Sequence, residues 1–202
     1  MKIYNFEQGT EDWFKIRKGK ITASHAQAIG NNGKGLETYL NNLMAEYFSS
    51  GEKENYSNKH IERGIDLEPI AKDIYEFETG NKIENVGFIE YNEFVGCSPD
   101  GLVGDDGGIE IKSIDDSGYF KILMDGEKEI DSAYIWQIQM SLLITERKWW
   151  DFVAYNPNYK KSIYICRIYP DKDKFEKLLK GFEIAEEKIN SMIKKYNELI
   201  NN

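Results

Sequence analysis

At 202 residues the chain suits one domain with a sizeable core, since a single core need not split below roughly 250 to 300 residues. Hydrophobic residues at 41% and charged residues at 30% exclude a wholly disordered protein. The 26 Lys and Arg against 35 Asp and Glu, a net charge of −9, have the wrong sign for a protein that coats nucleic acid nonspecifically. A metal-dependent hydrolase of phosphodiesters stays open, because such a site needs clustered carboxylates and bound divalent cations reverse the field that a phosphate meets. The opening MKIYNFEQGT lacks the apolar run of a secretory signal, and no segment approaches the roughly 18 to 20 unbroken apolar residues that span a bilayer, so a cytoplasmic location is expected. Cys97 and Cys166 lack the paired spacing of a zinc site, and both are expected as buried, reduced thiols.

In chain order, Thr10 followed by Glu11 and Asp12 predicts a capped helix that runs through Trp13 and ends near Gly19. Ile21 to Ser24 leads to another short helix. Residues 38–48 place Tyr39, Leu43 and Tyr47 on a helical stripe, and residues 59–79 repeat it with Ile61, Ile65, Ile70, Ile74 and Phe77. From Gly80 the texture changes to short runs at 86–91, 93–97, 102–104 and 109–114, divided by turn residues, which predict a meander of strands. Ser132 is expected to cap a helix through Ile144, and residues 148–155 and 162–169 predict two strands around an Asn-Pro-Asn turn. From Asp171 a long closing helix carries Phe175, Leu178, Phe182, Ile189 and Met192 on one face. The order implies one α/β domain over residues 1–202, with a mixed central sheet flanked by helices.

Chemistry concentrates at Ser98-Pro99-Asp100-Gly101 and Gly108-Ile109-Glu110-Ile111-Lys112. Strand side chains alternate faces, so Glu110 and Lys112 point together while Ile109 and Ile111 point into packing. A hairpin between Leu102 and Ile109 would bring Asp100 beside Glu110. Two carboxylates and a backbone carbonyl suit magnesium, and a nearby lysine can position or deprotonate a water or offset developing negative charge. Taken alone, the pattern reads more readily as an exposed Pro-Asp-Gly turn with Glu-x-Lys on a wet strand face.

The wider set of motifs resembles the phage lambda exonuclease family, also called YqaJ-like viral recombinases, within the restriction-endonuclease-like PD-(D/E)xK fold. The stretches that carry the resemblance are Trp13-Phe-Lys-Ile-Arg17-Lys-Gly-Lys-Ile-Thr22-Ala-Ser24, Gly64-Ile-Asp-Leu-Glu68, Cys97-Ser-Pro-Asp100-Gly, Glu110-Ile-Lys112 and Ser132-Ala-Tyr134-Ile-Trp-Gln137-Ile-Gln139. They span nearly the whole chain in the family's order. Departures are Ser113-Ile114 after Glu-Ile-Lys, where the lambda enzyme has cysteine and proline, and Trp136 in place of alanine.

The resemblance implies that Asp100, Glu110 and the carbonyl of Ile111 hold a metal, that Lys112 is the catalytic lysine, and that Glu68 helps to hold a second metal or its water. Two magnesium ions per site are implied, with manganese as an alternative. Arg17, Ser24 and Ser98 fall where the family grips a 5′-terminal phosphate, which agrees with a forked guanidinium and short hydroxyl hydrogen bonds. Gln137 falls beside the metals, and Tyr134 is expected in the core. Lys59 and Ile61 fall where the family places a phosphate contact and an apolar wedge, although Ile61 reads equally as core. The Gly30-Asn-Asn-Gly-Lys34-Gly loop lacks the lysine-serine ending of a phosphate loop, so Lys34 is assigned at most a DNA contact. His25 and His60 are expected on the surface. The implied activity is a 5′-to-3′ exonuclease acting on double-stranded DNA ends as a ring-shaped homotrimer, with a phage single-strand annealing protein as partner. The rivals are an endonuclease of the same fold and a catalytically silent scaffold.

Overall fold

The computed structural model describes residues 1–50 and 59–201, with the side chains of residues 59–63 and 65 outside the description. Lys59, His60 and Ile61, singled out from the sequence, fall among those residues. The helices are α1 (Glu11–Arg17), α2 (Ala26–Asn31), α3 (Lys34–Phe48), α4 (Lys59–Thr79), α5 (Asp116–Asp125), α6 (Ser132–Thr145) and α7 (Lys172–Ile200). The strands are β1 (Lys2–Tyr4), β2 (Ile21–Thr22), β3 (Ile83–Glu84), β4 (Phe88–Glu90), β5 (Val95–Cys97), β6 (Gly101–Val103), β7 (Gly107–Ser113), β8 (Trp149–Tyr155) and β9 (Ile163–Ile168). A short 3-10 turn, Ala23–His25, links β2 to α2.

The expected mixed α/β architecture flanked by helices forms, with its strands divided between two mixed sheets. One has the order β1-β4-β5-β2, with β2 parallel to β5, and the other has the order β3-β6-β7-β8-β9, with β7 parallel to β8. The chain crosses from the first sheet to the second at Ser98-Pro99-Asp100, because β5 ends at Cys97 and β6 starts at Gly101. The parallel pairing of β7 with β8 requires a crossover, which α5 and α6 supply.

Alternation along β8 divides the larger sheet between two cores. Trp150, Phe152 and Ala154 join the main cluster with Ile138 and Met140 of α6 and with Leu178 and Phe182 of α7. Val153 and Tyr155 join Ile109 and Ile111 in a second cluster beneath Ala71 and Tyr75 of α4. The helix over 59–79 therefore has its expected bounds and a different buried face: Ile70 is 47% and Phe77 90% exposed. A strict four-residue stripe drifts around a helix that turns every 3.6 residues, and the sheet selects Ala71 and Tyr75, one position on from Ile70 and Ile74. Similarly, α3 starts at Lys34 directly after Gly33, so its buried face is Leu36, Leu40, Leu43 and Met44, with Tyr47 exposed.

Smaller corrections concern helix ends and thiols. Thr10 precedes α1 without a side-chain cap, its hydroxyl donating instead to the Glu7 carbonyl at 2.7 Å. Asp131, rather than Ser132, caps α6 by accepting from the Ala133 N–H at 2.8 Å. Cys97 is buried, and burial pushes its thiol up to about 12, whereas Cys166 on edge strand β9 is half-buried. The Gly30–Gly35 segment is a tight junction between α2 and α3 in which Asn32 adopts the left-handed conformation (φ 46°).

Glycines admit two large aromatics. A Cβ on Gly108 would lie 2.3 Å from the ring of fully buried Trp150 on β8, and a Cβ on Gly30 would lie 2.3 Å from the Trp136 ring. The tryptophan at 136 thus occupies space that Gly30 leaves open. Gly108→Ala is expected to destabilise the fold by about 2 to 3 kcal/mol, an overpacking cost at a strand that cannot retreat. A urea midpoint unchanged from wild type would contradict this.

Candidate active site

The expected β6–β7 hairpin forms, with Gly101 opposite Ile109 and Leu102 opposite Gly108. Asp100 consequently lies beside β7, and its Oδ2 accepts from the Ile111 N–H at 2.6 Å. A strand residue presents its N–H and its carbonyl to the same side. The Ile111 carbonyl therefore faces the Asp100 side, past the last paired residue of β6.

Glu110 is 1% exposed and points to the face covered by α6. Its Oε1 accepts from Lys112 Nζ at 2.6 Å and from Gln137 Nε2 at 2.6 Å. Its Oε2 is buried without a hydrogen-bond partner. A buried carboxylate oxygen left unsatisfied costs free energy unless something else meets it, and beside Asp100 and the Ile111 carbonyl the missing partner fits a hard cation with oxygen ligands. Burial raises the Asp100 carboxyl well above its ordinary range, and the Glu110 charge adds to that rise. Burial also raises Glu110, against the opposing pull of Lys112. Lys112 itself is raised: burial acts to lower it, but Glu110 and Asp100 together outweigh burial.

Glu68 sits on α4 with its side chain 37% exposed and pairs with Lys72 at 2.9 Å. Its charge acts on both Asp100 and Glu110. Among the described residues no three Asp, Glu, His or Cys side chains gather closely enough to hold a metal by themselves. The donor set present, two carboxylates and a carbonyl, fits one cation. Tyr134, expected in the core, is half-buried, packs on Phe152 with ring centroids 5.9 Å apart, and carries the Lys112 ammonium 5.2 Å from its own centroid.

A second cluster lies across the Ser98-Pro99-Asp100 crossing. Arg17 Nη1 donates to Ser98 Oγ at 2.8 Å, Trp13 Nε1 donates to the same oxygen at 3.0 Å, and the guanidinium lies 4.1 Å over the Trp13 ring. Trp13 and Arg17 stand four apart on α1 and so share a face. Burial lowers the Arg17 pKa from its ordinary value. Among the described residues Arg17 has no carboxylate in ion-pair contact, so it is a desolvated cation available to an anion. Ser24 is exposed, with its hydroxyl 3.3 Å from Thr22 Oγ1 and 3.2 Å from His25 Nδ1. Ser98 and Asp100 are two residues apart, which limits the separation of their Cα atoms to at most about 7 Å. Trp13 as a hydrogen-bond donor was missed in the sequence, although its spacing from Arg17 signals the pair. Lys34 is exposed at the start of α3.

The sequence model of the YqaJ-like viral recombinase domain family matches residues 12–148. Among solved structures, the chain is similar to an alkaline exonuclease from Laribacter hongkongensis at 30% identity and a TM-score of 0.81, covering 94% of this chain and 100% of that one. The complex of that enzyme with dAMP aligns at 31% identity with the same TM-score and coverage. A phage related exonuclease from Haemophilus somnus shares the fold, with a TM-score of 0.67 at 17% identity over 88% of this chain and 96% of that one. No curated protein sequence matches.

Proposed function

We propose that this chain, which belongs to the YqaJ-like viral recombinase domain family and has its nuclease role in recombination, degrades double-stranded DNA from 5′ ends, releases mononucleotides and leaves 3′ single strands for annealing. The observation that carries the reading is the three-residue crossing that sets a desolvated arginine, which among the described residues has no carboxylate in ion-pair contact, next to a buried two-carboxylate site. An anion held by Arg17, Ser98 and Ser24 would fix the end of a strand, and the acids beyond Pro99 would then face a phosphodiester close to that end. A dAMP complex of the Laribacter hongkongensis enzyme agrees with a mononucleotide product.

Asp100, Glu110 and the Ile111 carbonyl would hold magnesium, or manganese in its place, and a bound cation of this kind supplies Lewis-acid polarisation and a water of lowered pKa. Gln137 and Lys112 fix the orientation of Glu110 through its Oε1, leaving Oε2 as the oxygen that would hold a cation. Lys112 brings a positive charge to the place where the phosphoryl oxygens gain negative charge. Glu68, whose Oε1 pairs with Lys72, would help to hold a second cation or its water. Lys34, Lys59 and Ile61 are proposed as outer DNA contacts. A homotrimeric ring would hold DNA topologically, which relieves a chain of net charge −9 of needing a basic surface. A phage single-strand annealing protein is the proposed partner, within the bacterial cytoplasm. Among the described residues no helix is long and apolar enough to cross a membrane.

The test is digestion of 5′-phosphorylated linear duplex and of covalently closed circular duplex with and without magnesium. Magnesium-dependent loss of the linear substrate alone is expected. Cutting of circles would make the protein an endonuclease, and inertness on both would make it a scaffold. Arg17→Ala is expected to lower the preference for 5′-phosphate over 5′-hydroxyl ends by about tenfold or more, the worth of one charge-assisted bidentate contact. Equal preference in the variant and the wild type, read from paired KM values, would remove Arg17 from that role.

A further inference from the structure

Beside the proposed phosphate grip stands a histidine that the activity has not used. His25 is exposed, stacks on Tyr39 from α3 with centroids 4.0 Å apart and planes 10° from parallel, and places Nδ1 3.2 Å from Ser24 Oγ. Tyr39 is itself tied down, its phenolic oxygen accepting from the Thr22 N–H at 3.3 Å. The imidazole is thereby held in one plane, with one nitrogen against the serine hydroxyl. We propose that His25 is a specificity-determining residue for the terminal phosphate, setting by its protonation whether Ser24 can donate a hydrogen bond to the anion. The proposal rests on the reading of Arg17, Ser24 and Ser98 as the phosphate grip.

The argument is one of donor supply. A serine hydroxyl has a single proton. In the neutral tautomer that carries its proton on Nε2, the form proposed for the free protein, Ser24 donates the hydroxyl proton to Nδ1 and has only lone pairs left to face an oxyanion. A protonated ring has donors on both nitrogens. Nδ1 then donates to Ser24 Oγ, the Ser24 proton is free for the phosphate, and the ring adds a positive charge beside Arg17. In the free protein, partial desolvation of the ring and then the Arg17 charge hold His25 below its ordinary value of 6.5, so the neutral ring prevails at neutral pH. A phosphate dianion offsets the arginine charge and reverses that bias, so binding of the end is linked to uptake of a proton. Among the described residues the following other ionisable groups act on this corner. Arg17 comes from α1 and Tyr39 from α3, and Glu46 on α3 acts on both of them. The only ionisable residue of α6, which packs on the 3-10 turn, is Tyr134, and α2 carries none.

The test compares the affinities of 5′-phosphorylated and 5′-hydroxyl fluorescent duplexes by anisotropy, using the full chain with Lys112→Ala so that the DNA is not cut. In that background the phosphate-to-hydroxyl affinity ratio is expected to rise about fivefold between about pH 8.5 and about pH 6.5, in the range where histidine titrates. With His25→Gln added, the ratio should be nearly flat, and with His25→Lys it should stay high at both ends. The phosphate's own second ionisation, near about pH 6, affects all three proteins alike, so their difference isolates His25. Equal slopes with His25 and with His25→Gln would overturn the proposal while Arg17→Ala still abolished the preference. If Arg17→Ala also left the preference intact, the phosphate grip itself would be wrong, and this proposal would fall with it.

Discussion

Lys112→Ala is expected to slow digestion of linear duplex by about a thousandfold or more, the scale on which loss of a preorganised charge at a reacting centre is felt. The structure favours one of the roles open to this lysine. Its ammonium is 2.6 Å from Glu110 Oε1 and 5.2 Å from the Tyr134 ring, and the two carboxylates raise its pKa against the opposing effect of burial. A lysine raised above its ordinary 10.5 is charged throughout the neutral range, so in this state it acts as a fixed cation rather than as a base. The same shift fixes the sign of its pH dependence: the favourable pairing is complete below the ordinary value and is lost as pH rises through the raised one. In the metal-free protein Lys112 should therefore remain charged below about pH 10.5. Lys112→Arg keeps the charge, but a planar fork cannot fill the place of a compact ammonium over Tyr134, and it should recover little of the rate. Initial rates of acid-soluble nucleotide release, with circular dichroism to confirm folding, check this. Retention of more than about a tenth of the wild-type rate by Lys112→Ala would remove it from the chemistry.

The acids and this lysine were legible in the sequence because their geometry is local. A strand has a side-chain period of two and a short hairpin has one register, so Asp100, Glu110 and Lys112 converge without help from the rest of the chain. The isoleucines at 109 and 111 fall into the core beneath α4 by the same rule. Legibility failed where the partner decides. Tyr134 at its spacing reads as core, and only the fold shows that its ring supports Lys112. In α4 the sheet selects Ala71 and Tyr75 and leaves Ile70 and Phe77 outside, a choice invisible to a list of large apolar residues. Helix α5 was missed altogether, although Asp115 caps it by accepting from the Gly118 N–H and Gly126 ends it at φ 69°, both signals present in the sequence. The division into two sheets was missed because it depends on which strands pair at a distance. The Arg17–Ser98 contact joins residues 81 apart and was reached through resemblance alone.

Asp100→Asn is expected to abolish cleavage and yet to raise the melting temperature measured without divalent metal by about 2 to 6 °C, as removal of a strained buried charge gives in a domain of this size. The reason lies in the direction of the carboxyl shifts. Asp100 is raised well above its ordinary 3.8 by burial and by Glu110, and Glu110 is raised above 4.5 by burial. A group raised in the folded state favours folding while it is protonated in both states, and that contribution is lost as pH rises through the folded value. At neutral pH the pair is consequently a liability to the fold. Asparagine removes one charge of the pair, and as the side-chain oxygen is retained the Ile111 N–H can still donate to residue 100. A divalent cation bridging Asp100 and Glu110 would relieve the same repulsion. At about a hundred times its dissociation constant it would stabilise the folded wild type by about 2.7 kcal/mol, or about 5 to 10 °C. The variant should lose that increment, so wild type and Asp100→Asn should exchange order of stability when magnesium is added. Thermal melts with and without magnesium read this without any nuclease assay. A wild type that gains nothing from magnesium or manganese would show that these carboxylates do not form the metal site, and a variant that gains as much as the wild type would place the site elsewhere in the chain.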